Sequence, residues 1–84
     1  MKVHTLKCWP APFNAVADGI KCFEFRINDR DYHVGDILDL REWEPCSQKY
    51  TGRSVRRLVT YILIAGEFEV PHGYCIMSLR RITE

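Results

Sequence analysis

Apolar and polar positions alternate along most of this chain, and one short segment breaks the rhythm. Residues 3–8 put His4, Leu6 and Cys8 on one side and Val3, Thr5 and Lys7 on the other, the period-two pattern of a first strand. Trp9-Pro10-Ala11-Pro12 stops it. Proline has no N–H for a sheet ladder, but the first turn of a helix accepts it because that donor has no partner there anyway. A short helix is therefore expected from near Pro12, with Phe13, Val16 and Ala17 as its buried stripe and Gly19 as a left-handed C-terminal cap. Alternation resumes over residues 21–27. Glu24 and Arg26 share one face there, and Phe23, Phe25 and Ile27 share the other; the apolar set is expected to anchor in the core.

Asn28-Asp29-Arg30-Asp31 is dense in turn formers and predicts an exposed loop, and Gly35 suits a turn before the next strand. That strand, 37–43, ends at Pro45 and carries Leu38 and Leu40 on one side, with Ile37, Asp39, Arg41 and Trp43 on the other. Residues 46–52 connect as a hairpin into a long strand over 53–65. Its second half, Val59 to Ile64, is apolar on both faces and is expected to be deeply buried. A loop over 66–73 leads to a last strand over 74–82. One helix among about five or six strands predicts an α+β domain, a small twisted sheet or partly closed barrel that limits exposed edges. Without repeat or linker, residues 1–84 form a single domain.

Composition narrows the class. With 46% hydrophobic and 27% charged residues, the chain matches an ordinary globular domain, and no apolar run approaches a bilayer span. No membrane partner is expected. Charges at Lys2 and Lys7 interrupt the place where an export signal would need its apolar stretch, so the expected compartment is cytoplasmic. Cys8, Cys22, Cys46 and Cys75 are scattered, with no C-x-x-C and no histidine at ligand spacing, which favours reduced structural thiols over disulfides or zinc. No metal and no cofactor are expected. The net charge of +1 cannot steer the whole molecule to nucleic acid, but the charges are segregated. Residues 27–48 hold two basic and six acidic groups, whereas residues 49–64 hold four basic and none acidic. Such a division can make a basic face, or paired strands of opposite charge.

The densest candidate chemistry lies in Gly19-Ile20-Lys21-Cys22-Phe23-Glu24-Phe25-Arg26. A lysine and an arginine beside one carboxylate can bind an anion or a polar base edge while the carboxylate positions them; composition alone favours an ordinary surface ion pair. As an enzyme, the same cluster would use Lys21 as nucleophile or base and Glu24 as proton carrier, in an enclosed pocket. There is no Ser-His-Asp signature, H-E-x-x-H, P-loop or G-x-G-x-x-G, and His4, His33 and His72 are isolated in sequence. Lys7, Arg30 and Trp43 are further contact candidates. Trp9, Tyr32, Tyr50 and Tyr74 offer rings for bases, and Lys49, Arg53, Arg56 and Arg57 offer charges for phosphates, although core packing is the commoner role of an aromatic.

The octapeptide fits the pattern G-x-K-x-x-E-x-R and resembles that of ASCH (activating signal cointegrator homology) domains, which belong to the PUA-like superfamily. Leu6 to Pro10, Asn28 to Tyr32, Val34 to Leu38, Leu40 to Trp43, Tyr50 to Arg53 and Gly73 to Met77 extend the resemblance to small ASCH-like proteins of bacteria and phages, over nearly the whole chain. The resemblance implies a PUA-like pseudo-barrel with a helix beside a cleft. It also implies recognition of RNA or a modified nucleotide, with Lys21, Glu24 and Arg26 lining that cleft. Some ASCH proteins similar in this motif are amidohydrolases acting on N4-acylated cytidine. These pair the motif lysine with a threonine, where this chain has Glu24, and with a later glutamate, for which Glu67 and Glu69 are the candidates. A binding domain is thus the leading expectation, a nucleoside amidohydrolase the second, and a protein-interaction module the third.

Overall fold

The computed structural model describes residues 1–82. Its elements follow in the order β1 (Val3–Cys8), α1 (Pro10–Ala17), β2 (Phe23–Ile27), β3 (Ile37–Glu44), β4 (Lys49–Ile64), a 3-10 turn (Glu67–Glu69) and β5 (Tyr74–Arg81). The five strands make one mixed sheet in the order β1-β3-β4-β5-β2, with β1 parallel to β3 and every other pair antiparallel. The sheet curls into a half-barrel, the small mixed β pseudo-barrel with one short helix that the pattern predicts. Its two edge strands, β1 and β2, are neighbours across an open seam. Side chains bridge that seam: Arg26 Nη2 donates to the Lys7 carbonyl, and Arg30 Nη1 to the Thr5 carbonyl at 3.1 Å.

The helix begins two residues earlier than expected, because both prolines fit its first turn. Phe13 and Val16 drive into a core shared with Leu6, Leu38, Leu40 and Val59, together with Met77 of β5. Gly19, at φ +81°, ends the helix. Its N–H donates to the Val16 carbonyl and that of Ile20 to the Ala15 carbonyl, the paired bonds of a Schellman cap. This cap reverses the chain so that β2 starts beside the helix and Lys21 lies at the turn.

Two face assignments need correction. In β2 the alternation holds but the sides are exchanged: Glu24 is buried, while Phe23 and Phe25 are each 49% exposed and Ile27 is exposed too. Alternation says which residues share a face and nothing about which face is inward. Glu24 pairs in register with Met77 and Arg26 with Cys75, both fully buried, so the charged pair occupies the inner side at the seam. In β4 only Val59 is fully buried, whereas Tyr61 and Ile64 are exposed. A single sheet with one helix covers one face, so a strand apolar on both sides leaves its outer residues open. β4 also starts at Lys49, four residues before the expected boundary, where Lys49 pairs with Glu44 and Tyr50 with Trp43.

All four cysteines are free; Cys8 and Cys75 are buried, and Cys22 and Cys46 are exposed rather than structural. His4 is a buried histidine of β1. Its Nε2 lies 2.8 Å from Asp36 Oδ2, both groups buried, with the Tyr32 ring edge-on at 4.7 Å between centroids. The Asp36 carboxylate also accepts the backbone N–H groups of Lys2 and His33. Burial by itself would raise the Asp36 pKa, but these hydrogen bonds outweigh it and hold the carboxyl at about 2. Among the described residues no helix is long and apolar enough to cross a membrane, and no three His, Cys, Asp or Glu side chains gather as a metal site.

Candidate functional site

The cap at Gly19 and the exchanged faces of β2 bring the motif residues together. Glu24, with its side chain 8% exposed, is gripped from both sides: Lys21 Nζ donates to Oε1 at 3.1 Å and Arg26 Nε to Oε2 at 2.6 Å. Lys21 Nζ also donates to the Phe23 carbonyl at 2.8 Å. A carboxylate with both oxygens engaged by cations acts as an ionised acceptor and an anchor. The two cations outnumber it by one charge, and Arg26 keeps N–H groups beyond those used by Glu24 and Lys7.

The trio lines an open cleft of about 310 Å³ that also takes in Lys7, Trp9 and Phe25. Trp9 is 58% exposed and lines the cleft; Phe25 lines it too, from the outer face of β2, with its ring 5.3 Å from that of Tyr74. Beneath the floor sits Cys8. Burial, and after it the nearby Glu24 carboxylate, push the Cys8 thiol up, against the pull of Lys21 and Arg26. A buried thiol of raised pKa is a packing residue and a poor nucleophile.

The other candidates fall in different places. Lys7 lines the cleft and lays its Nζ 4.2 Å from the centre of the Trp43 ring, so Trp43 stands behind Lys7 and outside the lining. Arg30 bridges the seam to Thr5 and does not line the cleft. Glu67 and Glu69 do not line it either; Glu67 Oε1 accepts the N–H of Ile64. On the inner face Glu42, in register with Cys8, is a second buried carboxylate. Thr51 Oγ1 donates to it at 2.7 Å, and Arg53 lies 3.5 Å away.

Two cleft residues lie outside the set that the motif nominates. Trp9 stands before Pro10 at the N-cap of α1, a position whose exposure is set by the prolines that start the helix. Phe25 lies on the face of β2 that the alternation assigned to the core. The signal for both is position: each flanks the motif or belongs to it, and each is a large ring that a domain of this size has no further layer to cover.

A family model described as "Domain of unknown function (DUF3850)" matches residues 3–79. An "Uncharacterized 12.9 kDa protein in GpA 3'region" of Escherichia phage P2 is 41% identical over 59 residues, which is 70% of this chain and 52% of the phage protein. The chain thus spans about half the length of that relative.

Proposed function

The chain belongs to this DUF3850 family, and from that premise we propose that it binds RNA or a modified nucleotide through the cleft around Lys21, Glu24 and Arg26. One observation carries the reading. Charged donors fixed on a buried carboxylate line the same cleft as Trp9 and Phe25, both exposed aromatic residues. A planar base needs both features: rings for its faces, and polar groups for its edge. Glu24 sets the direction of Lys21 and Arg26 before a ligand arrives, which lowers the ordering cost of binding. The likeness to ASCH domains supports the same ligand class. An amidohydrolase gains no support from the cleft, since both Glu24 oxygens are engaged by cations and neither later glutamate lines it.

The test is a titration of short RNAs and ribonucleosides, modified bases included, against wild type, Trp9→Ala and Lys21→Ala. Stacking contributes about 1–3 kcal/mol per base, so Trp9→Ala is expected to weaken binding at least about fivefold. Its melting temperature should hold, because the ring is exposed. RNA affinity should also fall steeply as salt rises, since phosphate contacts release counterions. Unchanged affinity in both variants would remove the cleft from consideration. Incubation with N4-acetylcytidine settles the enzymatic alternative: turnover abolished by Lys21→Ala would replace the binding role with catalysis.

A further inference from the structure

A second hollow adjoins the cleft, and Lys21 lines both. It measures about 340 Å³, opens beside Gly19 and Cys22 at the end of α1, and is walled by Arg57, Arg80 and Arg81. Arg57 and Arg81 are direct partners across β4 and β5. Like charges placed opposite one another destabilise a sheet unless something of opposite sign lies between them. Arg26, Arg41, Arg53 and Arg56 each come within 4.0 Å of a carboxylate. Among the described residues no carboxylate pairs with Arg57, Arg80 or Arg81, and none lines the hollow.

The carbonyls at the end of the helix supply part of the compensation. Arg57 Nη2 donates to Val16 at 3.0 Å and Arg81 Nη2 to Ala17 at 3.4 Å. Arg57 gives a second N–H to the Arg56 carbonyl, and each guanidinium retains further N–H groups. Desolvation, and next the neighbouring Arg81, lower the Arg57 pKa, as expected for positive charge crowded against positive charge. The guanidinium stays protonated regardless. The carbonyl bonds fix both forks in place, and planar forks match the oxygens of a phosphate.

We propose that this hollow is a phosphate subsite, so that the cleft's ligand is a nucleotide or a phosphodiester unit rather than a free nucleoside. The proposal rests on the nucleotide-binding reading of the cleft. Lys21 stands at the junction: the base lies against Trp9 and Phe25, and the phosphate lies on Arg57 and Arg81 with Arg80 at the margin.

Titration by NMR or calorimetry at constant ionic strength, using ribonucleosides, their 3′- and 5′-monophosphates, and inorganic phosphate alone, tests it. At least one monophosphate isomer is expected to bind tenfold or more tightly than its nucleoside. Arg80→Gln with Arg81→Gln should erase that preference and leave nucleoside affinity as in wild type, while Trp9→Ala should weaken nucleoside and nucleotide alike. Inorganic phosphate should shift the amide signals of Gly19 and Cys22 in wild type and not in the double variant. Equal affinity for nucleosides and monophosphates, or a preference surviving in the double variant, overturns the subsite and leaves the base-binding cleft standing. Phosphate binding that depends on Arg81, with no nucleoside or nucleotide binding, overturns the cleft reading and with it the composite ligand, leaving a bare anion site. Absence of binding by all three probes overturns both.

Discussion

Glu24 shows how much a single side chain's direction decides. Turned outward on an edge strand, it would make a solvated ion pair of little consequence. Turned inward beside Met77, it is a buried charge that requires Lys21 and Arg26, and it in turn fixes their direction. Asp36 is the comparable case away from the cleft, since its carboxylate is buried and fully engaged by His4 and two backbone N–H groups. Its pKa near 2 in the folded chain, against 3.8 as the ordinary value, fixes the sign of a stability effect. A depressed carboxyl contributes its full stabilisation above the unfolded value. As pH falls from about 3.8 towards 2, the unfolded chain takes up the proton first and that contribution is lost. Urea midpoints measured from pH 6 to pH 2.5 should therefore fall more steeply for wild type than for Asp36→Asn, which is expected to be the less stable of the two at neutral pH. Parallel profiles would show that Asp36 is not the acid-sensitive group.

At the scale of elements, the α1–Gly19–β2 unit was the most legible part of the chain, because each of its signals is local. Prolines mark the start of the helix, Phe13 and Val16 its buried stripe, and Gly19 its end. A consequence follows for Gly19→Ala. A side chain at φ +81° is strained, and its Cβ would lie 3.2 Å from Arg81 Nη2. A loss of about 1–2 kcal/mol in chemical denaturation is expected. A neutral result would mean that the turn rebuilds without its left-handed residue. The inward face of β2 and the openness of the outer face of β4 were not legible, since both depend on which element covers a surface, and periodicity carries no such information. The His4–Asp36 pair was equally hidden: it requires the parallel pairing of β1 with β3, a contact between segments more than thirty residues apart. Alternation puts Glu24 and Arg26 on one face but leaves the direction of Lys21 open; the turn after Gly19 is what brings it to Glu24. Phe25 is not legible as a cleft residue, and Trp9 is legible only as one of several rings that could stack on bases, because a ring in a small domain is assigned to the core by default.

For the whole molecule, the decisive feature is that the half-barrel meets itself through side chains. β1 pairs by backbone only with β3, and β2 only with β5. Between the two edges, Arg26 reaches Lys7 and Arg30 reaches Thr5. The cleft lies on this seam, so its shape depends on how firmly the edges are held together. Side-chain bridges to exposed carbonyls each contribute about 1.5–3 kcal/mol at most, less than a continuous ladder supplies, so the seam should open more readily than the β3–β4–β5 centre. Arg30 allows this to be tested without removing a residue of the cleft lining, because it bridges the seam and does not line the site. Hydrogen exchange followed by mass spectrometry should show faster exchange in peptides covering residues 3–8 than in those covering 55–63. Arg30→Ala should accelerate the first group several-fold and leave the second near wild type. The same variant should modestly weaken the nucleotide binding proposed for the cleft, by loosening the wall that carries Lys7 rather than by removing a contact. Uniform acceleration across both groups would instead mean that the seam and the sheet centre open as one cooperative unit, and the cleft would then be as rigid as the core behind it.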